Sequence, residues 1–232
     1  MIRVEGVSKR FRDNVVLDRV SVDIPDGATT AILGPSGVGK TVLLRIMAGL
    51  QAPDEGQVFH DGRRIRFGRF ADNRGLTGGL GYVFQGGALF DSLTVAENVA
   101  LVLEETTRLS RAEVSSRTRE VLLRVGMAEH SDLYPRALSG GMTRLVAIAR
   151  ALVADPRHMF FDEPTTGLDP VMRERICAMI GELREHGNRA QVVVTHDLEA
   201  ACLLADHTFM LRAGKLVRAD NVRKEDYEQA YS

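Results

Sequence analysis

Residues 29–48 read TTAILGPSGVGKTVLLRIMA, and this stretch decides the fold class. Thr29 to Leu33 is short, β-branched and apolar, which predicts a strand, and a helix is expected from about Lys40 to Ala48. Between them, Gly34 to Thr41 reads GPSGVGKT. Glycines at Gly34, Gly37 and Gly39 let backbone N–H groups converge on phosphate oxygens, and the helix N-terminus adds its positive dipole end. Pro35, Ser36, Val38 and Val42 complete the loop and its exit into the helix. Lys40 is expected to reach β and γ phosphates and Thr41 to ligate magnesium. Alone, this arrangement defines a phosphate-binding loop, shared by kinases, GTPases and helicases.

Outward from this loop, strands are expected at Arg3 to Val7, Val20 to Ile24, Gln57 to Phe59 and Gly81 to Phe84. Turn residues such as Asp26 and Gly27 separate them. The middle of the chain changes character. Thr94 to Glu104 and Ser110 to Gly126 read as helices opened by capping boxes, Thr94 facing Glu97 and Ser110 facing Glu113. Met142 to Ala154 carries helical apolar spacing until Asp155 and Pro156 stop it, and His158 to Phe161 follows as an apolar strand. Pro170 to His186 is a further helix, with Asp169 as N-cap and Gly187 as stop. Val192 to Thr195 is a strand, Asp197 to Ala205 a helix, and Thr208 to Arg218 a hairpin around Ala213 and Gly214. Such alternation implies an α/β fold with a mainly parallel sheet covered on both faces, flanked by an antiparallel β portion. The expected organisation is one domain over 1–232. Residues 1–85 and 138–232 form a core with a β subdomain, and 86–137 form a helical insert. Arg63 to Arg74 reads as a solvated loop.

The chain has 232 residues, 44% hydrophobic and 26% charged, enough to bury one substantial core. Its 30 basic and 31 acidic residues give a net charge of −1, which argues against a nucleic-acid partner. Cys177 and Cys202 are expected to be buried structural thiols in a reducing compartment. No apolar run reaches the roughly 20 residues of a spanning helix, and Met1 to Arg10 lacks a signal-peptide core. A cytoplasmic protein is expected, so any membrane process it serves needs another chain in the bilayer.

Asp162 and Glu163 follow the apolar strand His158 to Phe161, at the edge where open α/β sheets place ligands. Asp162 suits magnesium; Glu163 suits orienting or deprotonating an attacking water, which argues for hydrolysis. Leu138 to Met142 reads LSGGM ahead of an amphipathic helix. Ser139 can cap that helix, while Gly140 and Gly141 leave its N–H groups open to an anion.

The ordered set GPSGVGKT, Gln85, LSGGM, FFDEPTTGLD from Phe160 to Asp169, and His196 resembles the ATP-binding cassette of ABC transporters over nearly the whole chain. The resemblance implies a P-loop nucleotide-binding domain with a RecA-like core, using ATP and Mg2+. It implies that Phe11 stacks on adenine, that Gln85 links magnesium and water to the helical insert, and that His196 holds the γ-phosphate. It implies that Ser139, Gly140 and Gly141 contact ATP bound in an opposite protomer of a head-to-tail homodimer, with Asp169 communicating across it. Plainer alternatives stand beside three of these: Phe11 as packing, Asp169 as an N-cap only, His196 as a polar residue after a strand.

The stretch FQGGALFDSLTVAENV, Phe84 to Val99, with Met142, is similar to the ATPases of Mla and Mce-type lipid transporters. That implies a membrane permease of the MlaE type, Mce-domain and auxiliary cytosolic partners, and a peripheral location on the inner membrane's cytoplasmic face. Thr143, Arg144 and Leu145 depart from the subfamily's polar residue and two basic ones. The same chemistry serves a non-transport regulatory complex, or one for solute import or lipoprotein release. Leu89, Phe90 and Leu93 are expected to form part of the permease's seat.

Overall fold

The computed structural model describes residues 1–68, 79–187 and 189–220. Two sheets organise the described residues. The first is antiparallel, in the order β2-β1-β4-β5, from β1 (Ile2–Phe11), β2 (Asn14–Ile24), β4 (Glu55–His60) and β5 (Arg63–Arg64). The second has the order β10-β9-β3-β8-β7-β6. It contains β3 (Thr29–Leu33), β6 (Leu80–Val83), β7 (His158–Asp162), β8 (Ala190–Thr195), β9 (His207–Arg212) and β10 (Lys215–Arg218). All its pairings are parallel except β9 with β10. Every residue of β3, β7 and β8 is buried, as expected of strands covered on both faces.

Six α-helices lie among the described residues: α1 (Lys40–Met47), α2 (Val95–Thr106), α3 (Arg111–Arg124), α4 (Gly140–Leu152), α5 (Pro170–Gly187) and α6 (Leu198–Leu204). Both expected capping boxes form, Thr94 with Glu97 and Ser110 with Glu113. Val99 and Leu103 of α2 and Leu122 of α3 share one buried apolar cluster with Ile148 of α4 and Phe161 of β7. Asn98, fully buried in α2, accepts from the Phe90 N–H at 2.8 Å. It donates to the carbonyls of Phe90, Leu93 and Thr94 at 3.0–3.1 Å, pinning the preceding loop to the helix.

Several expectations need correction. The first two strands run longer than composition indicates, because Phe11 pairs with Asn14 across a tight turn and register shifts near Val7 and Lys9 carry the ladder past polar residues. Arg63–Arg64 is a strand paired with Phe59 and His60, not a loop, and the Ile65 N–H donates to the Val58 carbonyl. The rest of that arginine- and glycine-rich stretch, from 69 onward, lies outside the described residues, as does Asn221 to Ser232. Cys177 is buried but Cys202 is exposed, since the short helix α6 turns only Ala200, Ala201 and Leu204 inward. Gly187 is the last residue of α5.

Candidate active site

The carboxyl ends of four parallel strands meet at one place. The loop Gly34–Gly39 follows β3, Gln85 follows β6, Glu163 follows β7, and His196 follows β8. A cleft of about 380 Å³ there is lined by Phe11, Lys40, Gln85, Glu163, Thr166 and His196, together with Ser36, Gly37, Gly39, Thr41 and Val42. Phe11 is 46% exposed at its mouth, an open apolar face at the end of β1, with the Lys9 ammonium 5.7 Å from its ring centroid. Residues far apart in sequence are brought together because parallel strands put all their carboxyl ends on one edge.

The loop's backbone demands glycine. Gly37 and Gly39 have φ of 81° and 112°, and a Cβ at Gly39 would stand 2.5 Å from Val16 Cγ1. Lys40, 5% exposed, directs its ammonium to the carbonyls of Gly34 (2.7 Å) and Pro35 (3.0 Å) and to Glu163 Oε1 (3.2 Å). The cation is thus folded back over the loop, at the point where N–H groups of an α1 N-terminus favour an anion.

Thr41 Oγ1 donates to Asp162 Oδ1 at 2.7 Å, and Tyr82 Oη donates to Oδ2 at 3.2 Å. Burial pushes the Asp162 carboxyl up from its ordinary pKa, opposed by the Thr41 and Tyr82 hydrogen bonds and the Arg45 charge. Thr41, Asp162 and nearby Gln85 offer neutral and anionic oxygens of the hard kind magnesium takes, so the donor set fits that ion.

Glu163 is a non-glycine residue at φ 50°, a left-handed conformation that persists only where surroundings enforce it. Its N–H donates to the Val194 carbonyl at 2.9 Å, and its carboxylate meets Thr166, Thr195 and His196. Burial would raise its pKa, but the His196 hydrogen bond, the Lys40 charge and the Thr166 hydrogen bond together hold it below the usual carboxylate range. The carboxyl is therefore kept ionised beside the cleft.

Ser139, Gly140, Gly141 and Asp169 stand outside this cleft. Ser139 caps α4, accepting from the Met142 N–H at 3.2 Å, and both it and Gly140 are exposed. No atom lies within 4 Å of a Cβ placed on Gly140, whereas Gly141 packs against Met172. Asp169 accepts from the Met172 N–H at 3.0 Å, so it does cap α5. Sequence reasoning missed Tyr82, Thr166 and Thr195, since no spacing marks them. It also missed Arg150, whose guanidinium donates to the carbonyls of Gly87 (2.8 Å) and Ala88 (2.7 Å) and ties α4 to the segment after Gln85. Of the three residues expected at a permease seat, Phe90 is 52% exposed and lines a second, apolar groove of about 440 Å³ with Tyr82, Phe84 and Val102. Leu89 and Leu93 are half-buried and do not line it, and Leu89 packs on the helical core.

Fold and cleft together define a P-loop nucleotide hydrolase. The ABC transporter family profile matches residues 17–166. A probable sulfate/thiosulfate import ATP-binding protein of Chlorella vulgaris is 37% identical over 96% of this chain and 92% of its own length. The Fe(3+) ions import ATP-binding protein FbpC of Escherichia coli O157:H7 is 37% identical over 94% of this chain; the chain spans 61% of that protein. The intermembrane phospholipid transport system ATP-binding protein MlaF of Haemophilus influenzae is 35% identical over 94% of this chain and 82% of its own length. Among solved structures, the dimeric post-hydrolysis state of the ATP-binding cassette MJ0796 bound to ADP and Pi superposes with a TM-score of 0.88. It is 32% identical over 96% of this chain and 99% of that one. The chain belongs to the ABC transporter family, as an ATP-hydrolysing subunit that uses ATP and Mg2+.

Proposed function

We propose that this chain works as a head-to-tail dimer in which each cleft is completed by the LSGG segment of the other copy, and that the dimer drives a membrane permease for lipid. The observation that carries the dimer is the separation of Ser139 and Gly140, exposed at a free helix N-terminus, from the cleft that needs anion donors. Phe11 stacks on adenine; Gly34, Pro35, Ser36, Gly37, Val38, Gly39, Lys40, Thr41 and Val42 surround the phosphates. Thr41, Asp162 and Gln85 hold magnesium, which supplies charge neutralisation on the phosphate oxygens. Glu163 takes a proton from the attacking water as the water's oxygen bonds to the γ-phosphorus and the bond from that phosphorus to the ADP oxygen breaks. His196 steadies Glu163 and the γ-phosphate. Ser139, Gly140 and Gly141 reach the γ-phosphate of the other copy's nucleotide, and Asp169 lies at the same junction.

In this reading, 1–85 and 138–232 are the catalytic core with its β portion, and 86–137 is an insert that transmits to the permease. The apolar groove at Phe90 is the permease's seat on the cytoplasmic face of the membrane. Support for lipid as the cargo comes from Phe84 to Val99 and Met142, with the likeness to MlaF. The equal likeness to sulfate and iron importers favours a second reading, import of a small polar solute.

The test is to isolate tagged protein from gently solubilised membranes and identify its partners and their lipids by mass spectrometry. A polytopic permease with an Mce-domain protein and bound phospholipid supports the lipid reading. A permease with a periplasmic solute-binding protein and no lipid reassigns the cargo. Recovery of no membrane protein overturns both.

A further inference from the structure

The two oxygens of the Glu163 carboxylate are held very differently. Oε2 accepts from Thr166 Oγ1 at 2.9 Å, Thr195 Oγ1 at 3.2 Å and the His196 N–H at 3.3 Å, and lies 3.0 Å from His196 Nδ1. Oε1 meets Lys40 Nζ at 3.2 Å. A carboxylate oxygen has two lone pairs, so four polar neighbours saturate Oε2 and leave Oε1 as the oxygen with spare accepting capacity.

Thr195 ends β8 and His196 follows it, whereas Thr166 belongs to Glu163's own turn. That turn is tight: Glu163 sits at φ 50°, the Thr166 N–H donates back to the Glu163 carbonyl at 3.4 Å, and Gly167 follows at φ 76°. The Thr166 side chain is half-buried and lines the cleft. Its donor makes the shortest of the four contacts to Oε2. Deleting it leaves Lys40 on Oε1 and the Thr195 and His196 groups on Oε2 to set the carboxylate's rotation about its last side-chain bond, which is intrinsically soft.

We propose that Thr166 is a positioning residue for ATP hydrolysis: its hydroxyl locks Oε2, so that Oε1 is the oxygen turned toward the attacking water. The inference rests on the reading of Glu163 above. The Thr166 hydroxyl donates to Glu163 and is assigned no role toward the phosphates or magnesium, so its loss is expected to act on the rate and not on nucleotide binding.

The experiment compares Thr166→Val, which keeps the branched shape, Thr166→Ser, which keeps the donor, and Glu163→Gln. Each is measured for kcat, KM and affinity for a fluorescent ATP analogue, with thermal unfolding as the check on folding. Thr166→Val is expected to lower kcat about tenfold with KM and nucleotide affinity changed by less than about twofold, and Thr166→Ser to recover most of the rate. In a Glu163→Gln background, Thr166→Val is expected to have no further effect on the residual rate, since the two act as a unit. Wild-type kcat in Thr166→Val, with Glu163→Gln inactive, overturns this inference and leaves the role of Glu163 standing. Normal turnover in Glu163→Gln overturns the underlying reading itself. A parallel loss of nucleotide affinity in Thr166→Val would move Thr166 to binding and overturn the inference as well. Where valine is not accommodated, Thr166→Ala makes the same deletion.

Discussion

Glu163 and Gly39 illustrate how single residues carry the site. Glu163 is ionised, buried and left-handed, a combination held by Thr166 in its own turn and by Thr195 and His196 at the end of β8. Glu163→Gln preserves its volume but replaces the charge that faces water and Lys40. ATP binding should persist while turnover falls about a hundredfold or more, read by a phosphate-release assay alongside nucleotide titration. At Gly39 two penalties coincide, a φ of 112° and a Cβ position 2.5 Å from Val16 Cγ1. Gly39→Ala should therefore distort the loop itself, raising the nucleotide dissociation constant at least about tenfold in equilibrium titration. Unchanged affinity would show that the loop's shape is not what binds phosphate. The glycine positions were legible in sequence because only they fit such a turn. The Val16 contact was not, since it comes from a neighbouring strand.

At the scale of elements, α2 and the loop before it form one unit through Asn98. The side chain satisfies one backbone N–H and three carbonyls in a site without solvent access. Asn98→Ala leaves the Phe90 N–H and the Leu93 carbonyl without their partner, while the Phe90 and Thr94 carbonyls keep backbone donors, and should lower stability by about 2–3 kcal/mol in urea unfolding. A loss under about 0.5 kcal/mol would mean the loop re-satisfies itself. Helix α4 holds the chain just ahead of that loop, with Arg150 on the carbonyls of Gly87 and Ala88. The helices themselves were readable from apolar spacing and capping boxes. Their coupling was not, because a buried asparagine and an arginine in a helix look like ordinary polar positions until their partners are known.

Across the whole molecule, the two sheets are joined at a buried histidine pair. His60 ends β4 and His158 begins β7, with ring centroids 5.2 Å apart and both side chains nearly inaccessible. Burial drives the pKa of His60 down to about 4, although the Met47 carbonyl, 2.7 Å from its Nε2, acts in the opposite sense. Burial lowers His158 as well, against the Asp61 charge. Because these folded-state values lie below the unfolded ones, stability is full above the ordinary histidine pKa of 6.5 and falls as pH drops toward 4. From about pH 7.5 to 5.5, His60 alone should remove about 1 kcal/mol, measured as a shift in the urea midpoint. A flat profile would show that water reaches the pair. At the same scale, Glu163→Gln with ATP should elute as a dimer in size-exclusion chromatography with light scattering, and as a monomer with Ser139→Glu added, since a carboxylate there repels the phosphates. Persistent dimer in the double variant would mean that the LSGG segment does not close the cleft.

Sequence by itself determined the alternation of strands and helices, the phosphate loop, the two carboxylates and the family, because each rests on local spacing or backbone geometry. It misjudged the lengths of β1 and β2, the strand Arg63–Arg64 and the exposure of Cys202, all of which depend on what packs or pairs alongside. Only the tertiary structure decided that Phe11, Gln85, Glu163, Thr166 and His196 share one cleft while Ser139 and Gly140 do not. The reason is physical. Parallel strands gather distant residues at one edge through sheet order, and sheet order is set by hydrogen-bond pairing between segments whose sequences carry no record of their neighbours.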